Sequence, residues 1–121
     1  MTTIINITDY YAGDTLPMEF KVRDKTGRPI DMINAFARFG IAPKVGRTIG
    51  DPVVTLTSNS EHVTFGDPTT SGIINVTMPS ATLTDAGEYV MELEVTLNSG
   101  QCLTVAHGNL TCLPAVLKDE G

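Results

Sequence analysis

The residue types that carry most enzyme chemistry are sparse in this chain: two histidines, His62 and His107, and two cysteines, Cys102 and Cys112, among 121 residues. Neither histidine stands at a metal-ligand spacing from another histidine, a cysteine or a close carboxylate pair, so both read as solvated or edge side chains. A Cys–His nucleophile pair would have to come from Cys102 and His107. Five residues apart on one strand, they are expected on opposite faces and out of reach of each other. Glu92 and Glu94 do share a strand face, about 7 Å apart, a separation comparable to that of glycosidase carboxylates. Such pairs sit in clefts with unlike surroundings, whereas these lie on the polar side of an alternating strand and read as a solubilising face. No G-x-S-x-G, P-loop or G-x-G-x-x-G occurs. The expectation is no enzyme, no metal and no cofactor.

Two further features bear on binding. Three N-x-T sequons, at Asn6, Asn75 and Asn109, fall within expected strands, where threonine is common because it suits a pleated sheet. They would be glycosylated only in a secreted protein. The segment Ala42–Asp51, "APKVGRTIGD", is expected to be a long loop. It combines the cations Lys44 and Arg47 with the apolar Val45 and Ile49, and is either a solvated link between the two sheets or the candidate protein-contact element for a neighbouring subunit, since loops on a rigid scaffold are where binding groups are placed.

Size and composition narrow the remaining classes. The length fits one domain spanning 1–121, with 115–121 as a short C-terminal tail. With 41% hydrophobic and 18% charged residues the chain is neither a disordered tail nor a membrane span. No apolar run approaches the roughly 20 residues that cross a bilayer. The N-terminus, "MTTIINITDYY", lacks the basic and apolar regions of a signal peptide, so the protein is expected to stay in a cytosol or leave by lysis. A net charge of -6 disfavours nucleic acid, whose binding rests on neutralised phosphates. The charge is unevenly spread: seven of the eight Lys and Arg residues lie between Lys21 and Arg47. This is either a chance distribution on solvated faces or a pair of complementary patches that meet on neighbouring copies.

The elements that position these residues read as short strands throughout, with Gly and Pro punctuating runs of Thr, Val and Ile. Strands are expected near 2–8, 15–23, 35–41, 52–58, 62–65, 72–78, 87–97 and 101–113. Only 80–87, "SATLTDAG", has the makings of a helical turn, with Ser80 as its cap. Leu16, Met18, Phe20 and Val22 share one face opposite Glu19, Lys21 and Arg23, and Tyr89, Met91, Leu93, Val95 and Leu97 share one opposite Glu88, Glu92, Glu94 and Thr96. One buried face per strand suits an antiparallel sheet stacked on a second. A three-residue loop, Asn98-Ser99-Gly100, keeps both apolar faces together, pairing Val95 with Leu103 and Leu93 with Val105. Gly108 is read as a bulge in one long last strand, which holds Cys102 and Cys112 about 33 Å apart and forbids a disulfide between them. "DAGEY" (85–89) resembles the D-x-G-x-Y corner of immunoglobulin-like sandwiches, in which the tyrosine hydroxyl bonds to backbone just upstream. The second cysteine of antibody domains would fall at Met91, and there is no Trp, so an antibody-type domain is not expected. The fold class is therefore all-β, an antiparallel immunoglobulin-like β-sandwich of about 7–8 strands.

Three segments together resemble a family of phage virion domains: "YAGDTLPMEFKVRDKTGRPIDMINAFARFGI" (11–41), "GIINVTMPSATLTDAGEYVMELEVT" (72–96) and "SGQCLTVAHGNLTCLP" (99–114). The family is the N-terminal domain of siphophage baseplate upper proteins and related short immunoglobulin-like phage structural proteins. The matching features are a "GDT" leading into a strand, D-x-x-G-x-P-I-D at the first long hairpin, A-x-A-R-F, and T-x-x-D-A-G-x-Y. The resemblance implies a non-enzymatic structural subunit in the virion, assembled in the bacterial host cytoplasm. Its partners would be phage structural proteins of tail, baseplate, neck or capsid. It would be present in many copies or as a homo-oligomer, without nucleic acid or membrane. Baseplate proteins continue into a stalk or receptor-binding part, and this chain ends at "AVLKDEG", which favours a decoration, adaptor or connector protein. The alternative is an immunoglobulin-like module that binds carbohydrate or protein.

Overall fold

The computed structural model describes residues 3–115; apart from Ala115, the tail expected at 115–121 lies outside the described residues. Nine strands follow one another: β1 (Thr3–Tyr11), β2 (Leu16–Lys21), β3 (Phe36–Val45), β4 (Thr48–Ile49), β5 (Val54–Thr57), β6 (Val63–Phe65), β7 (Ile73–Met78), β8 (Gly87–Thr96) and β9 (Cys102–Leu113). The larger sheet has the order β1-β9-β8-β3-β4, with β5 also pairing β3; the smaller has the order β2-β7-β6. The two stack as an immunoglobulin-like β-sandwich. All eight expected strands are present, and β4 is an addition. One pairing departs from the antiparallel expectation: β1 runs parallel to β9. The chain leaves β1 for β2 in the opposite sheet, so no hairpin fixes its direction.

The pleat sorts side chains as the alternation requires. Phe20 and Val22, and Tyr89, Met91, Leu93 and Val95, are buried, while Glu19, Lys21, Glu88 and Glu92 are exposed. Phe39 of β3, Phe20 of β2 and Met91 of β8 converge between the sheets and leave a gap of only about 10 Å³. In antibody domains a Trp of the third strand packs there against a disulfide joining the sheets; here an aromatic–thioether cluster fills the place. Each such side chain contributes about 1.5–3 kcal/mol by leaving water.

The β8–β9 hairpin confirms one half of the expected register and corrects the other. Leu97 and Gln101 close the three-residue loop, Gly100 donates to the Leu97 carbonyl at 2.8 Å, and its φ of 90° is the left-handed geometry that the loop needs. Val95 pairs Leu103 as expected, but Leu93 pairs Ala106, because Val105 is an extra residue on β9. The bulge therefore lies at Val105, not at Gly108. Both Val105 and Ala106 are buried, and the parity of β9 changes between them. Gly108 is instead regularly paired with Met91 on one side and Ile5 on the other. A Cβ there would run into the Ile5 carbonyl oxygen, so glycine is what lets β1 lie against β9.

Two other expectations are corrected. Segment 80–87 forms no helix; its backbone is used to hold the turn after β1, with Ala81 donating to the Gly13 carbonyl and Gly13 to the Leu83 carbonyl, both at 2.8 Å. The one helical turn among the described residues is a 3-10 turn at Thr69–Ser71. The stretch Ala42–Asp51 is a hairpin rather than a loop. β3 continues to Val45, turns at Gly46-Arg47 with Gly46 at φ 61°, and returns as β4, pairing Lys44 with Ile49 and Val45 with Thr48. Gly50 then donates back to the Pro43 carbonyl at 2.9 Å.

Two tyrosines lock one end of the sandwich. The Tyr89 hydroxyl donates to the Asp85 carbonyl at 2.6 Å, the corner that "DAGEY" predicts. Tyr10 mirrors it from β1, donating to the Asp14 carbonyl at 2.6 Å with the Leu83 carbonyl 3.5 Å away. Cys112, buried and unbridged, lies opposite both Tyr10 and Gly87 in the ladders. Burial pushes the Tyr10 hydroxyl up to about 12, with the negative charges available at Cys112 and Asp14 adding to it. Burial raises Tyr89 as well, followed by Cys112 and Asp85.

A phenolate cannot donate to a carbonyl, so the folded state holds both tyrosines neutral. For Tyr10 this contribution is complete below the ordinary value of 10.0 and is lost as the pH climbs to about 12. Stability measured by urea unfolding should fall across that window, and Tyr10→Phe should flatten the fall. At neutral pH, Tyr10→Phe and Tyr89→Phe should each cost about 1 kcal/mol. Gly108→Ala should cost more, about 2–3 kcal/mol, because backbone must move to admit one methyl group.

Candidate functional site

The outward face of the larger sheet is where polar, apolar and charged groups meet. β8 turns Glu88, Val90, Glu92 and Glu94 to this side; β3 adds Arg38, Gly40 and Ala42; β9 adds His107 and Asn109. Small residues on β3 lower the middle of the sheet. Beyond one side, the hairpin and its return strand raise a wall of Ile49, Gly50 and Pro52; beyond the other, β1 brings Ile4 and Asn6. Between them lies an open groove of about 640 Å³ with Gly40, Ala42 and Val90 among the residues lining it. That is within the range of small-ligand and peptide clefts. None of its lining residues is Phe, Tyr or Trp.

Its polar groups are partly matched to one another. Arg38 Nη2 lies 2.9 Å from Glu94 Oε1, a cross-strand ion pair and the only one among the described residues. Asn6 Oδ1 accepts from the backbone N–H of Asn109 at 3.2 Å and from its side-chain amide at 3.4 Å, stitching β1 to β9 at the groove's edge. Glu88 accepts from Thr111 at 2.9 Å. Glu92 stands opposite His107 on one side and Gly40 on the other.

The residues singled out in the sequence fall on two adjoining features. Lys44, Val45, Arg47 and Ile49 all lie on the β3–β4 hairpin and are exposed, Val45 at 78% and Ile49 at 58%. Ile49 also lines the groove, so the candidate contact element and the groove adjoin. Glu92 and Glu94 share the open face as expected, but one is tied to Arg38 and neither is enclosed. Cys102 and His107 are corrected: the bulge at Val105 puts both on the outer side, opposite Thr96 and Glu92. They are still five residues apart along β9, too far for proton transfer. His62 begins the approach to β6, its carbonyl accepting from Thr77 N–H at 2.8 Å. Among the described residues no three His, Cys, Asp or Glu side chains converge as metal ligands would. Asn6 and Asn109 line the groove, and Asn75 lies in β7.

The expected long hairpin at 24–31 is instead a connection between the two sheets, from β2 to β3, with a single bridge between Arg23 and Pro29, and its motif residues have local work to do. Asp24 Oδ1 accepts from the Thr26 backbone at 2.8 Å, the Thr26 hydroxyl at 2.6 Å and the Arg28 backbone at 3.1 Å. These bonds, the Thr26 hydroxyl first, hold its carboxyl below the usual range. Asp31 accepts from Ile33 N–H and from Thr69 Oγ1, each at 3.0 Å, and Met32 is buried beside them. What sequence reasoning missed is the groove itself. Its signal was the run of small residues, Gly40 and Ala42, on the outward register of β3.

No family model matches the chain, and no curated protein matches it. Among solved structures it is similar to CopC from Methylosinus trichosporium OB3b, at 12% identity and a TM-score of 0.49, covering 98% of this chain and 89% of that one. It is also similar to Tim-1, at 11% identity and a TM-score of 0.44, covering 98% of this chain and 100% of that one. At these identities the fold assignment stands on the strand pairing itself.

The two thiols should behave differently toward an alkylating reagent. Cys102 is exposed at the mouth of β9, while Cys112 is buried, its thiol pushed up by burial and then by Asp85. Mass spectrometry after iodoacetamide treatment of folded protein should find Cys102 modified and Cys112 intact until denaturant is added.

Proposed function

We propose that this chain is a non-enzymatic phage virion structural subunit, a decoration, adaptor or connector protein of head, neck or tail. It docks on other structural proteins through sandwich and loop surfaces. The phage assignment is supported by the resemblance over 11–41, 72–96 and 99–114, in order and spacing. The docking role is supported by one observation above all: a rigid two-stranded hairpin carries Val45 and Ile49 into solvent beside Lys44 and Arg47. A hairpin held by its own ladder loses little entropy on binding, and apolar side chains framed by cations suit a protein surface. On this reading the protein belongs to the assembled particle, with partners among the tail, baseplate, neck or capsid proteins.

A second reading, an immunoglobulin-like binding module, is favoured by the open groove of about 640 Å³. The lack of aromatic platforms in that groove turns it toward protein rather than carbohydrate, whose rings stack on aromatic faces. Quantitative mass spectrometry of purified phage particles should find the chain at a fixed stoichiometry with the major capsid or tail proteins. Its absence from particles, together with saturable binding of a protein ligand that substitutions lining the groove abolish, would replace the first reading with the second.

A further inference from the structure

The groove and the hairpin carry opposite unmatched charge. Among the described residues, the side chains of Lys44 and Arg47 on the hairpin have no ion-pair or hydrogen-bond partner, and neither has Glu92 in the groove. Glu92 belongs to the outward row Glu88, Glu92 and Glu94 on β8. A charge left unpaired on a folded surface is ordinary; a cationic pair on the hairpin and an unmatched carboxylate in the groove, each beside exposed aliphatic groups, are complementary surfaces on one molecule.

We propose that this face is a self-association surface, in which the β3–β4 hairpin of one copy is received in the groove of a second copy. The inference rests on the docking role proposed above and names the partner as this same chain. Lys44 and Arg47 of one copy come over the Glu92 row of the other, and Val45 meets the apolar floor at Ala42 and Val90. The arrangement is two-fold, so every contact is made twice and the pair closes without leaving a free hairpin. It also covers Ile49, which wall and hairpin share. Because the charges remain near solvent, they set register and partner choice more than affinity, and the pairing weakens as salt shortens the screening length to about 8 Å at 0.15 M.

The test is sedimentation velocity on the full chain across a concentration series. The expected result is a monomer–dimer equilibrium that shifts toward monomer when sodium chloride is raised. K44E/R47E and, separately, E92K should weaken dimerisation at least about tenfold. K44E/R47E/E92K sets a lysine opposite the new glutamates and should dimerise several-fold more tightly than K44E/R47E, although Glu88 and Glu94 keep it weaker than the parent. All three positions are exposed, and far-UV circular dichroism checks that each variant is folded. A parent that stays monomeric throughout the series, or a dimer indifferent to the reversals, overturns the inference. Either result leaves the presence of the chain in particles to be decided by mass spectrometry, so the two readings fail separately.

Discussion

Burial of one face of β8 is the constraint on which the rest of this fold depends. β8 pairs β3 along eight residues and β9 along ten, so its parity is imposed on both neighbours. With Tyr89, Met91, Leu93 and Val95 in the core, Glu88, Glu92 and Glu94 must point the other way. Shifting either neighbour by one residue would send an apolar row into water, a cost of several side-chain burials at once. The central strand thereby decides where the core lies, and also which residues are available to a partner.

That constraint explains the bulge. On β9, Leu103 and Val105 are inward at odd positions, whereas Ala106, Leu110 and Cys112 are inward at even ones. A strand of strict alternation cannot satisfy both ends, so one residue must be unpaired. Placing the irregularity at Gly108 would have carried His107 toward the core with no partner, a penalty that an imidazole meets only when hydrogen-bonded. Placing it at Val105 buries two small apolar groups side by side and leaves His107 and Asn109 outside. The parity change was legible in the residues; its position was misassigned because glycine is a habitual bulge residue. Here the glycine answers a different demand, the close passage of β1.

Much else in the fold could be read from local chemistry. The alternation in β2 and β8, the three-residue loop ending in Gly100 and the Tyr89 corner each depend on residues adjacent in sequence. Two features that escaped reading depend on distant segments. Tyr10 becomes a second corner because the turn after β1 is bonded to the segment around Leu83. Met32 is buried because the 3-10 turn at Thr69 reaches it, the Met32 N–H donating to the Thr69 carbonyl at 3.0 Å. The hairpin at Ala42–Asp51 was hidden by its glycines, which suggest a loop, although Val45, Thr48 and Ile49 have the β-branched character of strand residues. Of the site, the four candidate contact residues on the hairpin were singled out from their types alone. The groove beside them was not, since a concavity arises from the absence of side chains on one strand between taller neighbours on others.

The same bulge shapes the outward face of the larger sheet. Had β9 kept strict alternation beyond Thr104, Leu110 and Cys112 would lie outside and His107 and Asn109 inside. The outer face would then present a greasy edge next to β1. With the parity reversed, Asn109 meets Asn6 across the β1–β9 ladder, and the groove acquires a polar rim over an aliphatic floor. A polar rim around an apolar centre is what separates a specific contact surface from an aggregation-prone patch. One unpaired residue inside the hairpin that closes the core therefore also decides which side chains the opposite side of the sheet presents.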